Sequence, residues 1–163
     1  MPKVTAQHVK DAGFRAEQFG TPGAAPGVVV SGADFDAYLT PVLADAETWA
    51  SDIVGATPYA AATGATLLRL RNAELCYVKA VLWRRRMAFI DSNGQSGLDG
   101  NGAEYLNRRE FEAHAKEADA CAAHWMQQVI DGGPLLQDAG VRMGHVESGP
   151  YRSPRAVPGA PCG

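Results

Sequence analysis

The sequence predicts an all-α protein: a small helical bundle with one long central helix, a glycine-rich loop between helices and an extended C-terminal arm. Three observations carry that reading. Apolar residues recur at three- and four-residue spacing between Phe35 and Ile53, a run of good helix formers extends from about Thr63 to Asp91, and a second apolar stripe links Phe111 to Val129. A chain of 163 residues that is 46% apolar holds enough material for a single core. The expected division is a helical domain over residues 1–131 and a Gly/Pro-rich arm over residues 132–163.

Taken in order, Thr5 is a natural cap for a short helix over "AQHVKDA", which Gly13 ends. In "FGTPGAAPG" glycine and proline are too dense for a regular element, so residues 19–27 read as a loop. Val28, Val29 and Val30 then form either a short strand or an apolar plug over the core, and periodicity does not separate the two. From Asp34 onward, Phe35, Tyr38, Leu39, Val42, Leu43, Ala46, Trp49, Ala50 and Ile53 share one helix face. A proline is welcome at the first helical position but costs about 3 kcal/mol deeper in a helix. Pro41 therefore places the cap at Thr40, with residues 34–39 as a separate turn or bent entry, and Gly55 and Pro58 close the segment.

The helix from Thr63 to Asp91 would be about 40 Å long at 1.5 Å per residue. Four glycines in "SNGQSGLDGNG" end it. A last helix is expected from Ala103 to Ile130, with Phe111, Ala115, Ala118, Ala122, Trp125 and Val129 on one stripe and Glu112, Lys116 and Asp119 away from it. Gly132, Gly133 and Pro134 stop it. The remaining 32 residues hold 7 glycines and 5 prolines, yet keep Leu135, Leu136, Val141, Met143, Val146 and Tyr151. Two readings stand for this tail: a sticky arm ordered only on a partner, or a plain flexible terminus.

A net charge of −3 and a pI near 5.8 exclude a surface that binds polyanions throughout, while permitting a local basic patch. No run approaches the roughly 20 apolar residues of a membrane span, and "MPKVTAQHVKDAGF" lacks the features of a signal peptide. The expectation is a soluble intracellular protein without a membrane partner. Cys76, Cys121 and Cys162 are odd in number, widely spaced and without a CxxC, so they are expected as free thiols.

The segment "CYVKAVLWRRRMAFIDS" raises the question of what three adjacent arginines do inside an apolar helix. At 100° per residue, Lys79 and Arg86 share a strip whereas Arg84 and Arg85 point to two other sides, so the triplet cannot form one basic face. Groove-reading and membrane-surface helices both segregate their basic residues, and this one does not. What remains is a helix that touches neighbours on several sides, its arginines lying along apolar surface with their heads at the edges. More apolar surface surrounds it than a short chain covers, which marks Tyr77, Val81, Trp83, Arg84, Arg85 and Met87 as candidate subunit-interface residues.

No catalytic signature is present: there is no nucleophile elbow, phosphate loop or dinucleotide fingerprint. The loop "DSNGQSGLDGNGAEY" fits a calcium loop in neither register, because Leu98 takes the glycine position in one and Gly102 the glutamate position in the other. His114, Cys121 and His124 lie on one helix, but His114 stands about 10 Å of rise from Cys121, and no fourth ligand is evident. No catalytic residue, metal ligand or cofactor is therefore assigned, and an enzyme is not expected. A metal enzyme using Glu110, His114 and His124 is one alternative. Another is a DNA-packaging recognition subunit, with "VTAQHVKDAGF" opening a helix-turn-helix, although "RAEQFGTPGAAPG" makes a poor recognition helix.

The order of parts, "VTAQHVKDAGF", "LADAETWASDIVG", "ATPYAAA", "LLRLRNAELCYVKAVLWRRRMAF", a glycine-rich loop, a further helix and an apolar-spotted tail, resembles the head-to-tail adaptor proteins of tailed bacteriophages, also called connector or head-completion proteins. The resemblance covers roughly residues 3–130 and rests on pattern. It implies a helical bundle that assembles with itself into a ring, commonly twelvefold, in the neck of the virion after assembly in the host cytoplasm. Its implied partners are the portal protein, the next neck or tail protein, and double-stranded DNA passing through without sequence-specific binding. By position, residues 132–155 would be a docking arm for portal or neighbour, with Leu135, Leu136, Val141, Arg142, Met143, Tyr151, Arg152 and Arg155 as its contacts.

Overall fold

A computed structural model describes residues 1–25, 27–94 and 102–132, the side chains of 91–94 and 102–107 excepted. Helix accounts for 76% of the described residues and none lies in a strand, so the all-α expectation holds. The helices are α1 (Ala6–Asp11), α2 (Phe35–Val54), α3 (Ala56–Ala61), α4 (Gly64–Gly94) and α5 (Gly102–Gly132). The two long helices form an antiparallel hairpin: Trp83 stacks on Phe111 near one end, Cys76 faces Cys121 in the middle, and Arg69 donates to the Gln128 carbonyl at the other. Helix α2 and the N-terminal 30 residues pack on the other sides of α4, making it the central element.

Helix α1 starts at Thr5, whose backbone N–H donates to His8 Nδ1 at 3.1 Å, and it ends where Gly13 turns to φ +93°. A three-residue 3-10 turn, Ala16–Gln18, leads into a loop closed by a single bridge between Gly20 and Val29. There Val30 donates to the Phe19 carbonyl at 2.9 Å and Thr21 to the Val28 carbonyl at 2.9 Å. Neither reading left open for the valines holds for all three: Val30 is buried over the core, while Val28 and Val29 stay exposed and Val29 makes only the isolated bridge to Gly20.

Two proline readings need correction. Helix α2 begins at Phe35, six residues before Pro41, rather than at a Thr40 cap. The extra turns bury Phe35 and Leu39 against Phe19 and Val42, each worth about 1.5–3 kcal/mol, which outweighs the roughly 3 kcal/mol of the proline. The Thr40 hydroxyl donates to the Asp36 carbonyl at 2.9 Å, and Ser31 and Asp34 hydrogen-bond at 2.6 Å just ahead of the first turn. Pro58 does not end a segment but sits in the first turn of α3, where its missing N–H has no intrahelical partner to lose.

A third correction concerns the cysteines. Cys76 and Cys121 are joined in a disulfide with their Cα atoms 5.8 Å apart, contrary to the expected free thiols. Forty-five residues of separation hide the pair in sequence, and the antiparallel α4–α5 packing brings the two opposite each other. Cys162 lies outside the described residues.

The core has two parts. One joins Val4, Val9, Phe14, Phe19, Val30 and the first half of α2 to Val78 and Leu82; the other joins Ala50, Val54, Tyr59, Leu70, Ala73, Met126 and Val129. On α5 the buried stripe is Phe111, Ala115, Ala118, Ala122, Met126 and Val129, with Trp125 beside it and half-buried. No described helix is long and apolar enough to cross a membrane.

Candidate docking surface

The three arginines take three different partners, as their angular spread requires. Arg84 is exposed and pairs with Asp119 on α5. Arg85 lies over the Tyr38 ring of α2, 5.2 Å from its centroid. Arg86 lies over Phe111 at 4.4 Å and Trp83 at 5.4 Å, and burial there pushes its pKa below the usual guanidinium range.

Of the other candidate interface residues, Tyr77, Val81, Trp83 and Met87 are half-buried. Tyr77 stacks on Trp49 at 4.9 Å, and Val81 packs against the first core. Trp83 is held between Phe14 at 5.3 Å and Phe111 at 5.2 Å, with His114 at 4.9 Å. Much of the apolar girdle of α4 is thus covered within the chain, and among the described residues of α4 only Leu68, 50% exposed, is a large apolar side chain left open.

An open groove of about 750 Å³ lies where the 20–31 loop meets the start of α2 and the end of α4. Pro22, Val28, Val30, Tyr38, Pro41 and Phe89 wall it, and Asp34 and Arg85 add one charge of each sign. Gly20 makes this geometry possible, since a Cβ there would lie 2.5 Å from Phe89 Cδ2. Asp34 already accepts from the Ser31 hydroxyl, whereas among the described residues no carboxylate pairs with Arg85.

One polar centre escaped the sequence reading. Glu74, on α4, is fully buried and accepts from the backbone N–H groups of Lys3 at 2.7 Å and Val4 at 3.0 Å and from the Tyr59 hydroxyl. Burial pushes its carboxyl above the ordinary carboxylate range, against the pull of those hydrogen bonds. Burial and Glu74 likewise push the Tyr59 hydroxyl upward, which keeps it a donor. Tyr59 also reaches the Met1 carbonyl at 3.3 Å. A protonated Glu74 can therefore donate to Tyr59 while Tyr59 donates onward, leaving every group satisfied. No local sequence signal marks this glutamate, because its type and spacing match those of a solvated face.

The histidines are not brought together. His114 contacts Trp83 and Glu117, while His124 meets Gln128 at 2.9 Å, ten residues further along α5. Among the described residues no three potential metal ligands cluster. Where a recognition helix would follow α1 stands the three-residue 3-10 turn. The proposed arm contacts, Leu135, Leu136, Val141, Arg142, Met143, Tyr151, Arg152 and Arg155, lie outside the described residues. No known protein family, curated protein or solved structure matches this chain.

Proposed function

We propose that this chain is a noncatalytic structural ring subunit of a tailed-phage neck, joining the capsid portal to the tail or next neck protein and lining the DNA exit channel. The observation that carries the reading is the combination of a stiff, disulfide-tied α4–α5 hairpin with an open apolar groove and exposed Val28 and Val29 at one end. That is a scaffold presenting a place to hold a neighbour. The order of parts shared with head-to-tail adaptors supports it, and a net charge of −3 suits a channel through which DNA slides without adhering.

Native mass spectrometry of the protein alone and mixed with its portal tests the reading. A closed ring in either sample, twelvefold by resemblance, is the expected result. A persistent monomer that ignores the portal at high concentration overturns it. The mixed sample decides, because some ring components assemble only on their neighbour. Neither alternative gains support: a 3-10 turn does not fill a major groove, and among the described residues no three potential metal ligands cluster.

A further inference from the structure

We infer that the groove between the 20–31 loop and the end of α4 receives residues 144–152 of the same chain, with the Glu147 carboxylate on the Arg85 guanidinium. Three observations converge on that occupant: a groove cation that pairs with no carboxylate among the described residues, the reach of the chain beyond α5, and the order of side chains along it.

Arg84 has Asp119 and Arg86 lies over two rings, whereas Arg85 stands at the groove over the Tyr38 ring, with no carboxylate partner among the described residues. A half-buried guanidinium keeps most of its attraction for a carboxylate that approaches from the open side. Two carboxylates follow Gly132 in the sequence, Asp138 and Glu147.

Reach separates them. Gly132 lies against the Arg69 guanidinium at the opposite end of the hairpin, sixteen residues before Arg85 on α4. That is about 24 Å of helix to Arg85 and about 30 Å to Phe89. An extended chain advances about 3.3 Å per residue, so the backbone at Asp138, about 20 Å along, reaches Arg85 only when fully taut, while residues from about 140 onward arrive with slack. Glu147 is the only acidic residue in that remainder.

The neighbours of Glu147 match the walls. Val146 and Tyr151 supply apolar surface for Pro22, Val28, Val30 and Phe89, and Arg152 follows on toward Asp34. Gly144, Gly149 and Pro150 suit an extended path and oppose a helix. The inference bears on the ring reading, since a groove filled by the chain's own arm receives a neighbour only when that arm leaves it, but its test on the isolated chain is independent of any ring.

Hydrogen exchange of the full chain, compared at two concentrations a hundredfold apart, tests it with Arg85→Glu, Glu147→Arg and the double charge swap. The expected result is slowed exchange over residues 144–152 that does not depend on concentration, accelerated about two- to five-fold by either single reversal and recovered in the double variant. Glu147→Arg alters only the arm, so its outcome cannot be confused with loss of the fold. Unprotected exchange over 144–152 in the parent chain, or no response to Glu147→Arg, overturns the proposal. So does protection that grows with concentration, which assigns the groove to a second copy's arm.

Discussion

Glu74 offers the sharpest test of the fold. Replacing it with glutamine keeps the shape: the amide oxygen accepts from Lys3 and Val4, and the NH₂ group donates to Tyr59, which donates on to Met1. Replacing it with leucine leaves two backbone N–H groups and one hydroxyl without their acceptor. At about 1–3 kcal/mol for each buried orphan, and with Tyr59 still able to reach Met1, Glu74→Leu costs roughly 3–5 kcal/mol. The glutamine variant separates charge from hydrogen bonding. Burial raises the folded-state pKa of Glu74 above its unfolded value, so its contribution to stability is fully present below the ordinary carboxylate pKa and is lost as pH rises through the raised one. The stability of the parent minus that of Glu74→Gln should therefore fall with pH by up to about 1.4 kcal/mol per unit across that window, then level off. Urea melts followed by tryptophan fluorescence at half-unit steps from pH 4 to pH 8 give the difference directly. A difference that is flat or rises with pH refutes the account of a buried, unwillingly charged carboxylate.

Three further outcomes follow from the packing. Reducing the protein, or replacing Cys76 with serine, should lower stability by about 3–4 kcal/mol as the chain-entropy limit for a 45-residue loop, seen as a lower melting temperature on adding dithiothreitol; an unchanged melt and two titratable thiols at these positions in the untreated protein would contradict the bridge. Gly20→Ala sets a methyl against the Phe89 ring and should cost about 1–3 kcal/mol by denaturant midpoint, whereas Gly23→Ala, where open space surrounds the site at φ +76°, carries only backbone strain and should leave the Phe89 environment unaltered by NMR. Arg84→Ala removes a half-exposed ion pair with Asp119 and should change stability by less than about 1 kcal/mol, a loss that 0.5 M salt largely erases in the parent.

What the sequence made legible is what depends on one helix at a time. The angular spread of Arg84, Arg85 and Arg86 follows from 100° per residue, and each arginine indeed has a different partner. The α5 stripe is legible for the same reason, and the exchange of Trp125 for Met126 is a rotation of one residue about the axis. Pro41 misled because its local cost is visible in sequence while the burial of Phe35 and Leu39 that offsets it is tertiary. Glu74, the Cys76–Cys121 pair and the groove each join segments distant in the chain: residues 3, 59 and 74, residues 76 and 121, residues 20, 38 and 89. Spacing rules carry no information on such meetings.

These meetings divide α4 in a way that bears on what the molecule does. Around its first half stand the second core, the Glu74 centre and, at Cys76, the disulfide, so opening it exposes buried donors and breaks a covalent tie. Beyond Trp83 the helix presents Arg84, in an exposed ion pair with Asp119, and Arg85, lying over the Tyr38 ring beside the groove. Both of those contacts are worth about 1 kcal/mol or less at an exposed site. Glu74 and Arg85 are eleven residues apart, about 16 Å along the axis, beyond the range at which perturbations couple. Occupation of the groove, as proposed above, would therefore reorder Arg85 without drawing on the Glu74 centre or the disulfide. The proposed ring role would draw on that separation, because a contact made at the groove end of α4 would leave its first half undisturbed.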